Sequence, residues 1–338
     1  MKRAKNLYDK ICSFQNLVNS VHKAAKGRKK YRYSIATFLL NMEKEVLQLQ
    51  RELLTQTYIP STYSQFIIYD PKIRTISVAK FRDRVVYHAL CNYAGTVLDN
   101  TLISDSYACR KNKGIHSALK KAAQFIKTNR YFLKLDIQKF FESISHEKLY
   151  ELIQRKIKDK KTLWLIKQVI ENVPPNYSKG FGLPIGNLTS QYFGNYFLGF
   201  LDHYIKQQLK IKAYIRYMDD MLLLAEDKIT LWSAFQEIYL YLKDELTLKL
   251  NEKAIRLAPV NQGIPFLGFK IYPHKIFILK KNWKRFKKKF LKQQQRYING
   301  KITKETLIQS IASMTDYICQ ADTSNLRKNF IDRFSIEI

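Results

Sequence analysis

Three carboxylates carry the strongest chemical signal in this chain. Asp136 closes the largely apolar run Tyr131–Leu135, and Asp219-Asp220 stand between two more such runs, Ala213–Tyr217 and Met221–Leu224. Runs of this length and composition read as buried strands, which puts one acid at a strand end and two at a hairpin tip. A solvated tip is an ordinary place for acids. Fenced by apolar strands in a very basic chain, however, these three call for a cation, because a carboxylate leaving water must be paired. Magnesium takes oxygen ligands and keeps few from the protein, so two or three converging carboxylates suffice. Two such ions, about 3.5–4 Å apart, can stabilise both the attacking and the leaving oxygen of an in-line phosphoryl displacement. Manganese can substitute for them. The chemistry predicted is therefore nucleotidyl transfer, with Asp136, Asp219 and Asp220 as the metal-holding acids.

The rest of the composition agrees with a polyanionic substrate. In 338 residues there are 59 Lys and Arg against 28 Asp and Glu, a formal net charge of +31. Such a surface repels itself until it meets a polyanion, and nucleic acid releases condensed counterions on binding it. The 22 Tyr and 20 Phe can in part stack on bases, although most belong to a core. An anionic membrane surface is the rival partner. No signal-like apolar segment follows the basic start, and the longest apolar stretch, Tyr192 to Leu201, is too short to span a bilayer. A cytoplasmic setting, in a bacterial or phage-borne system, is expected, with no membrane partner. Cys12, Cys91, Cys109 and Cys319 form no C-x-x-C pair, and read as reduced thiols rather than metal ligands.

Elements that would position the acids follow from periodicity. Leu7, Ile11, Phe14, Val18 and Val21 predict a first helix, and Ile35, Phe38, Leu39, Met42 and Val46 a second from an N-cap at Ser34 to Leu54. Residues 65–69 and 73–78 read as strands around an Asp70-Pro71-Lys72 turn. Helices are expected over about 81–102, 114–128, 146–157, 161–171, 187–209 and 230–245. Short strands are expected near 247–250, 254–258, 264–271 and 275–279. From Lys275 to Lys304 there are twelve Lys or Arg and no acid, with Trp283, Phe286, Phe290 and Tyr297 at helical spacing. That is a basic amphipathic helix packed on its aromatic side. The mixture predicts an α+β fold.

Over nearly its whole length the chain resembles the reverse transcriptases. Tyr217-Met218-Asp219-Asp220 matches that family's Tyr-x-Asp-Asp box, and Leu133-Lys134-Leu135-Asp136-Ile137-Gln138-Lys139-Phe140-Phe141 its first aspartate motif. The resemblance implies a right-hand polymerase fold and roles for further residues. An N-terminal helical extension would cover 1–60. Fingers would span 61–130, with 146–190 completing fingers and palm, then palm 131–274 and thumb 275–338. Ile137 would join the metal shell through its backbone. Phe141 would be the steric gate against a 2′-hydroxyl, with Lys139 and Phe140 lining the triphosphate. Lys72 and Arg74 would grip the incoming deoxynucleoside triphosphate. Lys253 would be either a general acid for pyrophosphate or an ordinary surface lysine. Tyr217, Met218, Phe266, Leu267 and Gly268 would form the primer grip, and Lys284, Arg285 and Lys288 would line the RNA/cDNA duplex.

One departure points to a branch. Most of the family reads Leu-Pro-Gln-Gly followed by Ser-Pro; here Leu183-Pro184-Ile185-Gly186 is followed by Ser190-Gln191. That pattern, with Tyr107–Gly114 and Phe81–Leu90, resembles the reverse transcriptases of diversity-generating retroelements. It implies copying of a template RNA into cDNA, errors opposite adenines, and a small basic accessory protein. Ile185, Gly186 and Gln191 would then flank the nascent base pair, where isoleucine lacks the hydrogen bonds of a glutamine amide. No endonuclease, zinc or RNase H segment is evident. Open alternatives are a retron or group II intron type enzyme, a non-catalytic RNA-binding protein on the same fold, and an RNA-dependent RNA polymerase.

Overall fold

The computed structural model describes residues 3–69 and 72–334. Strands β1 (Ser64–Ile68) and β2 (Arg74–Val78) pair as an antiparallel hairpin; of its expected turn, Asp70 and Pro71 lie outside the described residues. The main sheet is built from β3 (Tyr131–Asp136), β4 (Ala213–Tyr217), β5 (Asp220–Ala225) and β6 (Arg256–Pro259). Their order is β4-β5-β3-β6, antiparallel throughout. A smaller antiparallel sheet holds β7 (Ile264–Phe266), β8 (Phe269–Ile271) and β9 (Ile276–Ile278).

Alternation along the main strands sorts their side chains into two cores. Leu133, Leu135, Tyr214, Met221 and Leu223 face the larger one, built with the N-terminal helices and the helix Leu188–His203. Phe132, Ile215, Leu222 and Leu224 face the other, which contains Phe266, Phe269, Phe286 and Phe290. Lys134 and Asp136 share the parity of Phe132, and Asp220 that of Leu222. These charged residues therefore continue the sheet face whose apolar members pack with the C-terminal unit.

The N-terminal helices are part of the larger core, not an appendage to it, with Leu17, Val21, Val46 and Leu49 fully buried. Both expected long helices are interrupted. Ser13 breaks the first into Tyr8–Cys12 and Phe14–Ala24 and caps the second piece. Asn41 divides the other into Tyr33–Leu40 and Met42–Leu54, and its N-cap is Arg32 rather than Ser34. The helix from Phe81 passes through a π-turn at Cys91–Gly95 to Asp99, and the helix Leu188–His203 ends in another at Tyr204–Gln208. Residues 247–250 form no strand, only a bridge from Leu250 to Ile137. The expected strand 264–271 is two, because Leu267 (φ +49°) and Gly268 (φ +92°) make a tight reversal between Phe266 and Phe269.

At the C-terminus, the basic helix Lys280–Ile298 buries Phe286 and Phe290 and stacks Trp283 on Phe286. Helices Lys304–Ile318 and Ser324–Phe334 complete that unit, Phe330 meeting Trp283, Phe286 and Phe290 edge-on. No described helix is long and apolar enough to cross a membrane. All four cysteines are free, as expected.

Candidate active site

The ladder between β3 and β5 places Asp136 directly opposite Asp220. Opposed residues in an antiparallel pair project from the same face, with Cβ atoms roughly 4.5–5.5 Å apart. Asp219 stands beside them in the two-residue turn joining Tyr217 to Asp220. All three acids are half-buried. Asn251 fixes Asp136: its side-chain amide donates to Oδ2 at 3.0 Å and its backbone N–H to the Asp136 carbonyl at 2.8 Å.

Burial pushes the Asp219 carboxyl above its ordinary range, and the charge of Asp136 pushes it further; Arg74 and Lys72 act in the opposite sense. Burial likewise raises Asp220, to about 6, against the opposing charge of Lys134. Lys134 Nζ lies 3.3 Å from Asp220 Oδ1, yet that oxygen is buried and accepts no hydrogen bond. Mutual repulsion, desolvation and a buried oxygen met only by an ammonium together make a donor set that fits a divalent cation. Among the described residues, no three His, Cys, Asp or Glu side chains form a group that could hold a metal on their own. The arrangement is a ladder pair, Asp136 and Asp220, with Asp219 in the adjoining turn. Water and substrate oxygens would have to complete any shell, as magnesium commonly requires.

A fully buried polar network holds the turn. Arg216 on β4 is 0% exposed, and its Nε and Nη2 donate to the two carboxylate oxygens of Asp202 at 2.7 and 2.6 Å. Its Nη1 donates to the Met218 carbonyl at 3.1 Å and to Asn195 Oδ1 at 3.0 Å. Tyr214 Oη also donates to Asp202. Met218 sits at φ +57°, a left-handed conformation that costs a non-glycine residue about 1–2 kcal/mol. A hydrogen bond from a charged donor returns about 1.5–3 kcal/mol, enough to keep the turn in that shape. Arg216, Asp202, Asn195, Asn251 and Lys134 all escape the sequence reading. Arg216 and Lys134 sit inside apolar strand runs, where a lone charge reads as an exposed interruption, while Asn251 lies between two expected short strands, where an asparagine reads as a turn residue.

The neighbouring expected residues fall into three groups. The first lies on or near the hairpin: Lys72 and Arg74 are exposed, and their positive charge acts on Asp219. Beside it runs the Leu183–Gly186 loop, where the Ile185 carbonyl accepts from Ser77 N–H at 2.8 Å. Gly186 is obligatory there, since its φ is +118° and a Cβ would lie 2.7 Å from the Ser77 carbonyl oxygen. Gly186 and Gln191 then line a cavity of about 440 Å³ together with Lys23, Arg32 and Arg84. The second group surrounds Asp136. Ile137 is buried and bridged to Leu250, and Lys139 adopts φ +46° at the start of Phe140–Ser143. Phe140 is 2% exposed, so its ring is core and only its backbone remains for a substrate. Phe141 is half-buried, its ring 5.2 Å from that of Phe140 and close to Gly194. Lys253 is exposed, two residues beyond Asn251.

The third group joins β7–β8 to the basic helix. Tyr217 pairs with Asp220 in the ladder and Met218 and Phe266 are buried. The Leu267 carbonyl accepts from Tyr317 Oη, and the Gly268 carbonyl from Asn282 Nδ2 at 2.9 Å. Lys284 and Lys288 are exposed and Arg285 half-buried.

The architecture is that of the right-hand polymerases. A telomerase structure from Candida albicans matches with a TM-score of 0.50 at 11% identity, covering 82% of this chain and 57% of that one. One from Candida tropicalis matches at 0.52 and 13%, covering 69% and 59%. The model of the reverse transcriptase (RNA-dependent DNA polymerase) family matches residues 69–271, and the chain belongs to that family. Among its relatives, the protein YkfC of Escherichia coli is 22% identical over 272 residues, 67% of this chain and 71% of that protein. The group II intron-encoded protein LtrA of Lactococcus lactis is 28% identical over 179 residues, 50% of this chain but 29% of that protein.

Proposed function

We propose that this chain is an active RNA-directed DNA polymerase that extends a primer on an RNA template with deoxynucleoside triphosphates. The observation that supports this best is the facing of Asp136 and Asp220 across the β3–β5 ladder, with Asp219 in the adjoining turn. In this reading the β1–β2 hairpin belongs to the fingers (61–130, completed by 146–190), the main sheet to the palm (131–274) and the basic helical unit to the thumb (275–338). Residues 1–60 are the N-terminal extension.

Asp136, Asp219 and Asp220, with the Ile137 backbone, would hold the magnesium ions, which when bound stabilise negative charge on the attacking and leaving oxygens. The protein's own part is mainly positional. Lys72 and Arg74 bring positive charge over the acids and receive the triphosphate, arginine in bidentate fashion. Phe141 presents a half-buried ring under the sugar, and Lys139 and Phe140 present backbone to the phosphates. Lys253 would protonate pyrophosphate. The Leu267-Gly268 turn, clasped by Asn282 and Tyr317, steadies the primer end near Tyr217 and Met218. Lys284, Arg285 and Lys288 meet the RNA/cDNA duplex.

Asp136→Asn or Asp219→Asn should lower magnesium-dependent primer extension by more than about a thousandfold while RNA binding persists. Extension at the wild-type rate by either variant would refute the reading, and extension by neither wild type nor variant would favour a non-catalytic RNA-binding protein.

Ile185 and Gln191 favour a narrower reading, an error-prone enzyme of a diversity-generating retroelement working with a small basic accessory protein. The relatives include intron-encoded proteins, so the intron type is its direct competitor. Here Ile185 uses its carbonyl to hold β2 and offers an apolar side chain where a glutamine amide would hydrogen-bond. Sequencing cDNA from a primed RNA should show errors concentrated at template adenines and reduced by Ile185→Gln. An even error spectrum that ignores the substitution would assign the chain to the intron type.

A further inference from the structure

The acid-bearing face carries a cation with no assigned role. Lys134 precedes Asp136 by two residues on β3, so the two side chains leave the same face. Its ladder partner on β5 is Leu222, which puts Asp220 on the diagonal, within reach of a long side chain. Lys134 uses that reach: its Nζ is 3.3 Å from Asp220 Oδ1, with the two side chains only 20% and 22% exposed. The oxygen it approaches is the one that accepts no hydrogen bond. On the β6 side Lys134 faces Arg256, which lies over the Phe132 ring and adds positive charge.

We propose that Lys134 is a built-in counter-ion for Asp220, a positioning residue that holds this carboxylate on the catalytic face and competes with the divalent cation for the same oxygen. The inference rests on Asp220 being a cation ligand. An ammonium neutralises one carboxylate through a single charge; a divalent ion on the same oxygen brings two and repels the ammonium. Solvent screens that repulsion poorly at a half-buried site. Lys134 therefore holds Asp220 aimed before the cation arrives, and raises the cation concentration needed to displace it.

The test is Mn2+ binding to the full-length chain without nucleic acid, followed by electron paramagnetic resonance. Wild type, Lys134→Met, Lys134→Arg and Asp220→Asn are compared. Lys134→Met should bind Mn2+ about tenfold more tightly, Lys134→Arg within about threefold of wild type, and Asp220→Asn more weakly. A merely structural lysine would not improve affinity when removed. If Lys134→Met does not fold, Lys134→Gln carries the same expectation. Unchanged or weaker binding by the neutral variant, with Asp220→Asn impaired, overturns the role of Lys134 alone. Wild-type binding by Asp220→Asn removes Asp220 from the ligand set and overturns the proposal together with its premise.

Discussion

Side chains at this site are defined as much by what they lack as by what they hold. Phe141 lies beside Gly194, where a larger residue would crowd the ring, so the glycine leaves room for the ring proposed as the gate. Phe141→Ala should raise ribonucleotide incorporation by about 10–200-fold, the range set by a few kcal/mol of steric discrimination. Competition between a ribonucleotide and its deoxy counterpart measures this, and unchanged selectivity would leave Phe141 as packing. The acids were legible because each borders an apolar run, a pattern that survives without coordinates. Lys134 and Asn251 were not, because their importance depends on strand register and on a chain crossing that brings position 251 to position 136. A lysine between two leucines looks solvated until its diagonal neighbour is known.

Among the elements, the main sheet and the helix Leu188–His203 act together through one buried ion pair. Removing one member of such a pair leaves a bare charge inside the protein and costs about 3–5 kcal/mol. Arg216→Met alone should therefore destabilise the fold severely, since Asp202 is 0% exposed. The double variant Arg216→Met, Asp202→Leu should recover most of that stability, because the stranded charge is gone. It should still extend primers poorly, as nothing then donates from Arg216 to the Met218 carbonyl. Thermal unfolding combined with primer extension tests this, and a double variant with full activity would remove the network from the control of the turn. The main strands were readable from their apolar runs, but the reversal at Leu267-Gly268 was not, because 264–271 reads as one apolar strand. The helix breaks at Ser13 and Asn41 were not, because the apolar stripe continues across both and only the packing of the pieces reveals the change of direction.

For the molecule as a whole, charge decides behaviour. With a formal net charge of +31, affinity for a primed RNA should fall steeply with salt, with a log–log slope of roughly −0.9 per neutralised phosphate of duplex, less for single strand. Binding titrations between roughly 50 and 200 mM salt would read the number of phosphates engaged. A slope near zero would mean that the basic helix Lys280–Ile298 does not lie on the duplex. The hairpin gives that repulsive charge a second use. The outer edge of β1 pairs with no strand among the described residues, and Phe66 and Ile67 stand about half exposed, at 51% and 50%. Open edges of this kind invite stacking between copies. Like-charge repulsion is what keeps such copies apart, so a short polyanion would screen the repulsion and leave the edge bare. Under those conditions the chain would self-associate through β1, the partner strand of the one that carries Arg74.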